Sequence, residues 1–115
     1  MMNAMATAKT KTQQPSHAMP TDLPAATGDL ADALLSLRDR GEMLRFLRDL
    51  CTVQELEALS HRWQIVQLLE QRVPYLEIAG RVGASTTTVT RVATWLRHGA
   101  GGYRTALDRL HRKRK

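Results

Sequence analysis

The chain is poor in the residues that announce chemistry. It has one cysteine, few aromatic residues and, in 115 positions, no apolar run long enough to span a bilayer. A single thiol, Cys51, excludes a disulfide framework and a cysteine-built zinc site. Lying between Leu50 and Thr52, it reads as a small core residue rather than a nucleophile, and the simplest compartment for such a chain is a reducing cytoplasm. The histidines, His17, His61, His98 and His111, fall in four separate segments. None is placed four residues from another on a helix face, so no metal site is expected. Strand-like alternation is absent, and with it any glycine-rich phosphate loop following a strand. Glu55 and Glu57 fall on different helix faces and do not form a general acid and base. These absences leave no enzyme class to argue for, and no cofactor is expected.

Acid is missing from one long stretch: none occurs between Glu77 and Asp108. The net charge of +6 is therefore unevenly spread. Residues 29–77 carry a balance of −3 and residues 78–115 a balance of +8, with +1 in the first 28. A basic C-terminal half calls for an anionic partner, of which nucleic acid is the commonest.

The first 28 residues are rich in Thr, Ala, Pro, Gln and Met and cannot bury a core, so a disordered tail is expected there. Its start, MMNAMATAKTKTQQ, has no apolar stretch of the kind a secretory signal needs. It is acid-poor like an organelle transit peptide but has no arginine. From Asp29 the apolar spacing turns helical. Leu30, Leu34 and Leu37 mark a short helix, with Gly41 expected as its stop, and Met43, Phe46, Leu47 and Leu50 mark a second. Thr52 and Glu55 form the T-x-x-E capping box of a long helix to about Gln71. Its stripe of Val53, Leu56, Leu59, Trp63, Val66 and Leu69, widened by Ala58, Ile65 and Leu68, calls for burial on more than one side. In so short a chain a second subunit would supply part of that cover. Pro74 ends the helix. Two short helices follow, 75–82 and 85–97, then the breaker HGAGG at 98–102 and a last helix marked by Tyr103, Ala106, Leu107 and Leu110. The fold class is all-α, with about six helices in one domain over 29–110 and a basic tail at 111–115.

The segment YLEIAGRVGASTTTVTRVATWLRHG, residues 75–99, meets the physical demands of a helix-turn-helix. Close crossing of two short helices needs a small residue, Ala79; the turn needs one tolerant of positive φ, Gly83. Ile78, Val82, Val89, Val92, Ala93 and Leu96 form the inner side. The outer face of the second helix then presents Thr86, Thr87, Thr90, Arg91 and Thr94, with Ser85 as N-cap. Threonine is a poor helix former, so its abundance in one helix needs a reason. The hydroxyls can bond phosphates or base edges, and the methyls can meet thymine methyls. Arg91 suits guanine or a phosphate, and Arg81 and Arg97 suit phosphates. Cations from Arg104 onward add sequence-independent attraction. The function read from these residues is sequence-specific binding of double-stranded DNA. The alternative is a helix-turn-helix used as a protein–protein interaction module.

Three stretches, LCTVQELEALSHRWQIVQLL at 50–69, GASTTTVTRV at 83–92 and GGYRTALDRL at 101–110, resemble the Trp repressor-like family, most closely its small bacterial YerC/YecD-type branch. The resemblance covers about residues 30–110. It implies an intertwined helical homodimer acting in the bacterial cytoplasm, at the nucleoid, as a transcriptional regulator, with a repressor as the type case; docking of the family's helix-turn-helix on DNA is well described. By the same resemblance an effector pocket would involve Thr52, Arg62, Thr88 and Arg91. Val92 stands where the tryptophan-sensing repressor has glycine, and Trp95 where it has serine. Both add bulk at the indole site, so tryptophan is not expected as co-repressor.

Overall fold

The computed structural model describes residues 20–114, which form six helices and no strand. They are α1 (Thr27–Ser36), α2 (Arg40–Leu50), α3 (Val53–Glu70), α4 (Tyr75–Val82), α5 (Thr86–His98) and α6 (Gly102–Arg114). The tail expected over 1–28 lies outside the described residues up to position 19; α1 itself opens at Thr27, and α6 runs on through Arg114 into the segment read as a basic tail. The chain divides into two compact units. One, Asp22–Ala93, holds α1 to α4 and the first part of α5; the other contains the chain from Thr94 onward, with the end of α5 and α6.

Capping residues set the boundaries. In α3 both halves of the expected box are made: the Glu55 N–H donates to Thr52 Oγ1 at 3.1 Å and the Thr52 N–H donates to Glu55 Oε1 at 2.8 Å. Each such cap contributes about 1 kcal/mol. One sequence expectation is corrected. Gly41 does not stop α1; it lies in the first turn of α2. The chain leaves α1 at Leu37, which is extended, and Asp39 opens α2 by accepting the Glu42 N–H at 2.8 Å. The Glu42 carboxylate in turn accepts the Arg38 N–H at 2.8 Å. The D-x-x-E spacing at 39–42 carries that information, and it outweighs the low helix propensity of one glycine.

Two left-handed residues shape the turns around α4. After α3, Arg72 adopts φ 64°, its N–H donates to the Leu69 carbonyl at 2.9 Å, and the Val73 N–H reaches the Leu68 carbonyl at 3.1 Å. This is the Schellman pattern, with arginine where glycine is usual. After α4, Gly83 adopts φ 79° and the Ala79 carbonyl accepts from both Gly83 and Ala84, at 2.9 and 3.1 Å. Nothing lies within 4 Å of a Cβ built on Gly83, so only the backbone conformation demands glycine there. Arg72→Gly is expected to stabilise the fold by about 0.5–1 kcal/mol, the left-handed cost less glycine's greater unfolded-chain entropy. Gly83→Ala is expected to cost about 1 kcal/mol by the same reasoning. Urea denaturation of both variants checks the pair; shifts of the same sign would contradict the backbone account.

Among the described residues the buried core is small and lies in the first unit: Ile65 and Val66 of α3, Ile78 and Ala79 of α4, and Val89, Val92 and Ala93 of α5. Helix α3 packs against α4 and, less extensively, against α2. The apolar stripe expected along all of α3 is covered only in part. Ile65 and Val66 are fully buried, Leu56, Trp63 and Leu69 are half-buried, and Val53 and Leu59 stay 51% and 46% exposed. Spacing identifies which residues share a face; it does not say how much of the face one chain covers.

Candidate nucleic-acid interface

Helix α5 is built as the second helix of a helix-turn-helix. The left-handed Gly83 turns the chain out of α4, and Ser85 caps α5, accepting the Thr88 N–H on its Oγ at 3.1 Å. The Ser85 and Thr88 hydroxyls also lie 3.1 Å apart. Val89, Val92 and Ala93 are buried, which turns the opposite face outward: Thr86, Thr87, Thr90 and Arg91 are exposed. The Thr90 hydroxyl donates to the Thr86 carbonyl at 3.0 Å, which satisfies the group within the helix and fixes where its methyl points. Thr94 and Arg97, on the continuation of α5 in the second unit, are exposed as well. No acid falls in the first turn of α5, and Arg97 and His98 occupy its last turn. The N-terminal end of the helix favours an anion, and α5 carries no acidic side chain to repel one.

Arg81, the residue on α4 expected to meet phosphate, is exposed and ion-paired with Glu77 one turn earlier. It also lines a shallow groove of about 310 Å³ with Gln64, Gln67, Leu68, Gln71 and Val82. Sequence reasoning missed this groove, although the glutamines at 64, 67 and 71 share one face of α3 by spacing alone.

The four residues that resemblance assigns to an effector pocket have other structural roles or lie at the surface. Thr52 and Thr88 are bonded at the first turns of α3 and α5, and Arg62 and Arg91 are exposed. Val92 is not a wall of an open site: its side chain is fully buried in the core. Trp95, in the second unit, is 44% exposed and lines a surface groove of about 370 Å³ with Gly99 to Gly102 and Tyr103. Among the described residues no cluster of His, Cys, Asp and Glu could hold a metal ion, and no helix is long and apolar enough to cross a membrane.

A family model described as Trp repressor protein matches residues 26–111. The chain is 40% identical over 81 residues to YerC of Bacillus subtilis, an uncharacterised protein, covering 70% of this chain and 78% of that one. Among solved structures, a TrpR-like protein from Eubacterium eligens superposes with a TM-score of 0.72 at 39% identity, covering 76% of this chain and 91% of that one. A chain from Staphylococcus aureus described as a candidate Trp repressor gives the same TM-score at 40% identity, covering 77% and 89%.

Proposed function

The chain belongs to the Trp repressor protein family, and on that premise we propose that it is a homodimeric transcriptional regulator, a repressor, that binds double-stranded DNA sequence-specifically at the nucleoid. One observation carries the reading: α5 is buried on its valine face and, on the other, offers an exposed, acid-free set of threonines and arginine behind a serine cap. Ser85, Thr86, Thr87, Thr90, Arg91 and Thr94 are the proposed reading face, with Arg97 and Arg81 on the phosphates. Arg81 must then exchange Glu77 for a phosphate, or share the two.

Dimerisation is supported by what one chain leaves uncovered. Leu35, Leu44, Leu50, Val53 and Leu59 of the α1–α3 segment are 46–82% exposed, too many large apolar side chains for the surface of so small a fold. Sedimentation equilibrium is expected to return twice the chain mass.

Selection from a randomised duplex library is the direct test. It should return a near-palindrome with half-sites about one helical turn, ~34 Å, apart. On that sequence Arg91→Ala is expected to lose about 1–3 kcal/mol if the guanidinium reads a base, with relaxed preference at one position per half-site. A library that yields no consensus would refute the reading. No tryptophan response belongs to this proposal, because Trp95 stands where the sensing repressor has a small side chain. Calorimetry with L-tryptophan is expected to show no saturable heat; tight binding would reverse that part alone.

A further inference from the structure

The hydroxyl groups along α5 are not equally available to a ligand. At the start of the helix the Ser85 and Thr88 hydroxyls lie 3.1 Å apart, and Ser85 Oγ accepts the Thr88 N–H. Thr90, exposed in the second turn, donates its hydroxyl hydrogen to the Thr86 carbonyl at 3.0 Å. That bond has two consequences. A phosphate oxygen only accepts, so the Thr90 hydroxyl does not donate to one without giving up the carbonyl. The bond also fixes χ1, and the two heavy atoms on Cβ turn together. With the oxygen drawn back along the helix, the γ-methyl is held in one direction on an exposed side chain. Thr90 lies in the first unit, on the same helix as the buried Val89 and Val92 that hold α5 in place.

We infer, resting on the DNA-binding reading above and deepening it, that Thr90 is a specificity-determining residue whose γ-methyl packs against the C5-methyl of a thymine at one position in each half-site. Among the bases of DNA only thymine shows that methyl in the major groove. A methyl–methyl contact needs no donor, which suits a side chain whose hydrogen is already used. Little rotamer freedom is lost on binding, because the side chain is fixed beforehand. The early residues of a reading helix are the ones that meet base edges, and Thr90 directly follows the capped first turn. The contact discriminates without charge: a cytosine at that position leaves the methyl facing no partner.

The test uses the full chain and the selected consensus duplex, with thymine replaced by uracil at one position at a time, symmetrically in both half-sites. Uracil keeps the pairing edge and lacks only the C5-methyl. At one position the wild type is expected to bind about fourfold more weakly per half-site, the worth of one buried methyl group, and so about fifteenfold as a dimer. Thr90→Ser keeps the hydroxyl and removes the methyl; it should bind the thymine and uracil duplexes equally. Thr90→Val keeps a methyl and removes the hydroxyl; it should discriminate as the wild type does. Helicity and thermal midpoint establish that the variants are folded; if Thr90→Ser is not, Thr90→Ala takes its place. A consensus with no uracil-sensitive thymine would overturn the inference, as would sensitivity that persists undiminished in Thr90→Ser. Weakened binding by Thr90→Val, with wild-type binding by Thr90→Ser, would assign the contact to the hydroxyl oxygen and sink the methyl contact. All three outcomes leave α5 as a DNA-binding helix. A library that returns no consensus would overturn the DNA-binding reading, and the inference with it.

Discussion

Raising salt from 50 to 200 mM is expected to weaken binding to the selected consensus duplex by about two to three orders of magnitude. The figure follows from the cations available. Arg97 and, where it grips a phosphate rather than a base, Arg91 supply two phosphate-competent groups per subunit, and Arg81 a third if it leaves Glu77. A dimer then neutralises four to six phosphates, and each adds about 0.9 to the slope of log K against log salt. Four phosphates give a loss of roughly 150-fold over that range and six give roughly 10³-fold. With Arg91 on a phosphate, the slope reports whether Arg81 takes part. Glu77→Gln should leave a six-phosphate slope nearly unchanged and should steepen a four-phosphate slope by freeing Arg81. A helix-turn-helix recruited to bind another protein through apolar surfaces would show little salt dependence of its association and no appreciable affinity for the duplex. That outcome would move the chain out of the DNA-binding class altogether.

Much of this interface is legible in the sequence, because it is local. The Ser85 cap, the left-handed Gly83 and the division of α5 into valine and threonine faces each depend on residues within two turns of one another. The same holds for the Thr52–Glu55 box. Local reading fails where a stronger-looking cue hides a weaker one. Gly41 draws the expected end of α1 away from Leu37, although Asp39 and Glu42 specify a helix start around that glycine.

What spacing does not supply is the identity of the neighbour across each face. The family resemblance implies that Val92 and Trp95 both add bulk at a ligand site, yet one is fully buried in the core and the other is 44% exposed beside a glycine-rich turn. Helical period places them three residues apart on adjoining sides; only packing decides which turns inward. Val53 and Leu59 show the same limit on α3: apolar by pattern, half-exposed in one chain. The Gln64–Gln67–Gln71 groove is invisible to spacing for a further reason, since its other wall, Arg81 and Val82, comes from a different helix.

Ile78→Ala is expected to be the most destabilising single change considered, costing about 2–5 kcal/mol, as for other fully buried aliphatic truncations. Ile78 is completely buried on α4, the helix that α3 packs against, and it is one of seven buried apolar residues among those described. Against a total stability of about 5–15 kcal/mol for an ordinary domain, that loss is a large fraction. The control lies two residues away. Leu76, on the same helix, is 77% exposed, and Leu76→Ala should stay within about 0.5 kcal/mol of wild type. Both are aliphatic and share one helix, so the contrast isolates burial. Urea denaturation at one fixed protein concentration makes the comparison valid for a dimer, whose apparent stability depends on concentration. The effect on DNA should follow stability rather than direct contact with the duplex. Ile78→Ala is expected to bind the consensus normally at low temperature, where the folded form still dominates, and to lose binding along its own unfolding curve. Weakened binding by fully folded Ile78→Ala would instead mean that this core residue sets the angle of the reading helix, a positioning role beyond simple support. Equal destabilisation by the two variants would contradict the placement of α4 itself.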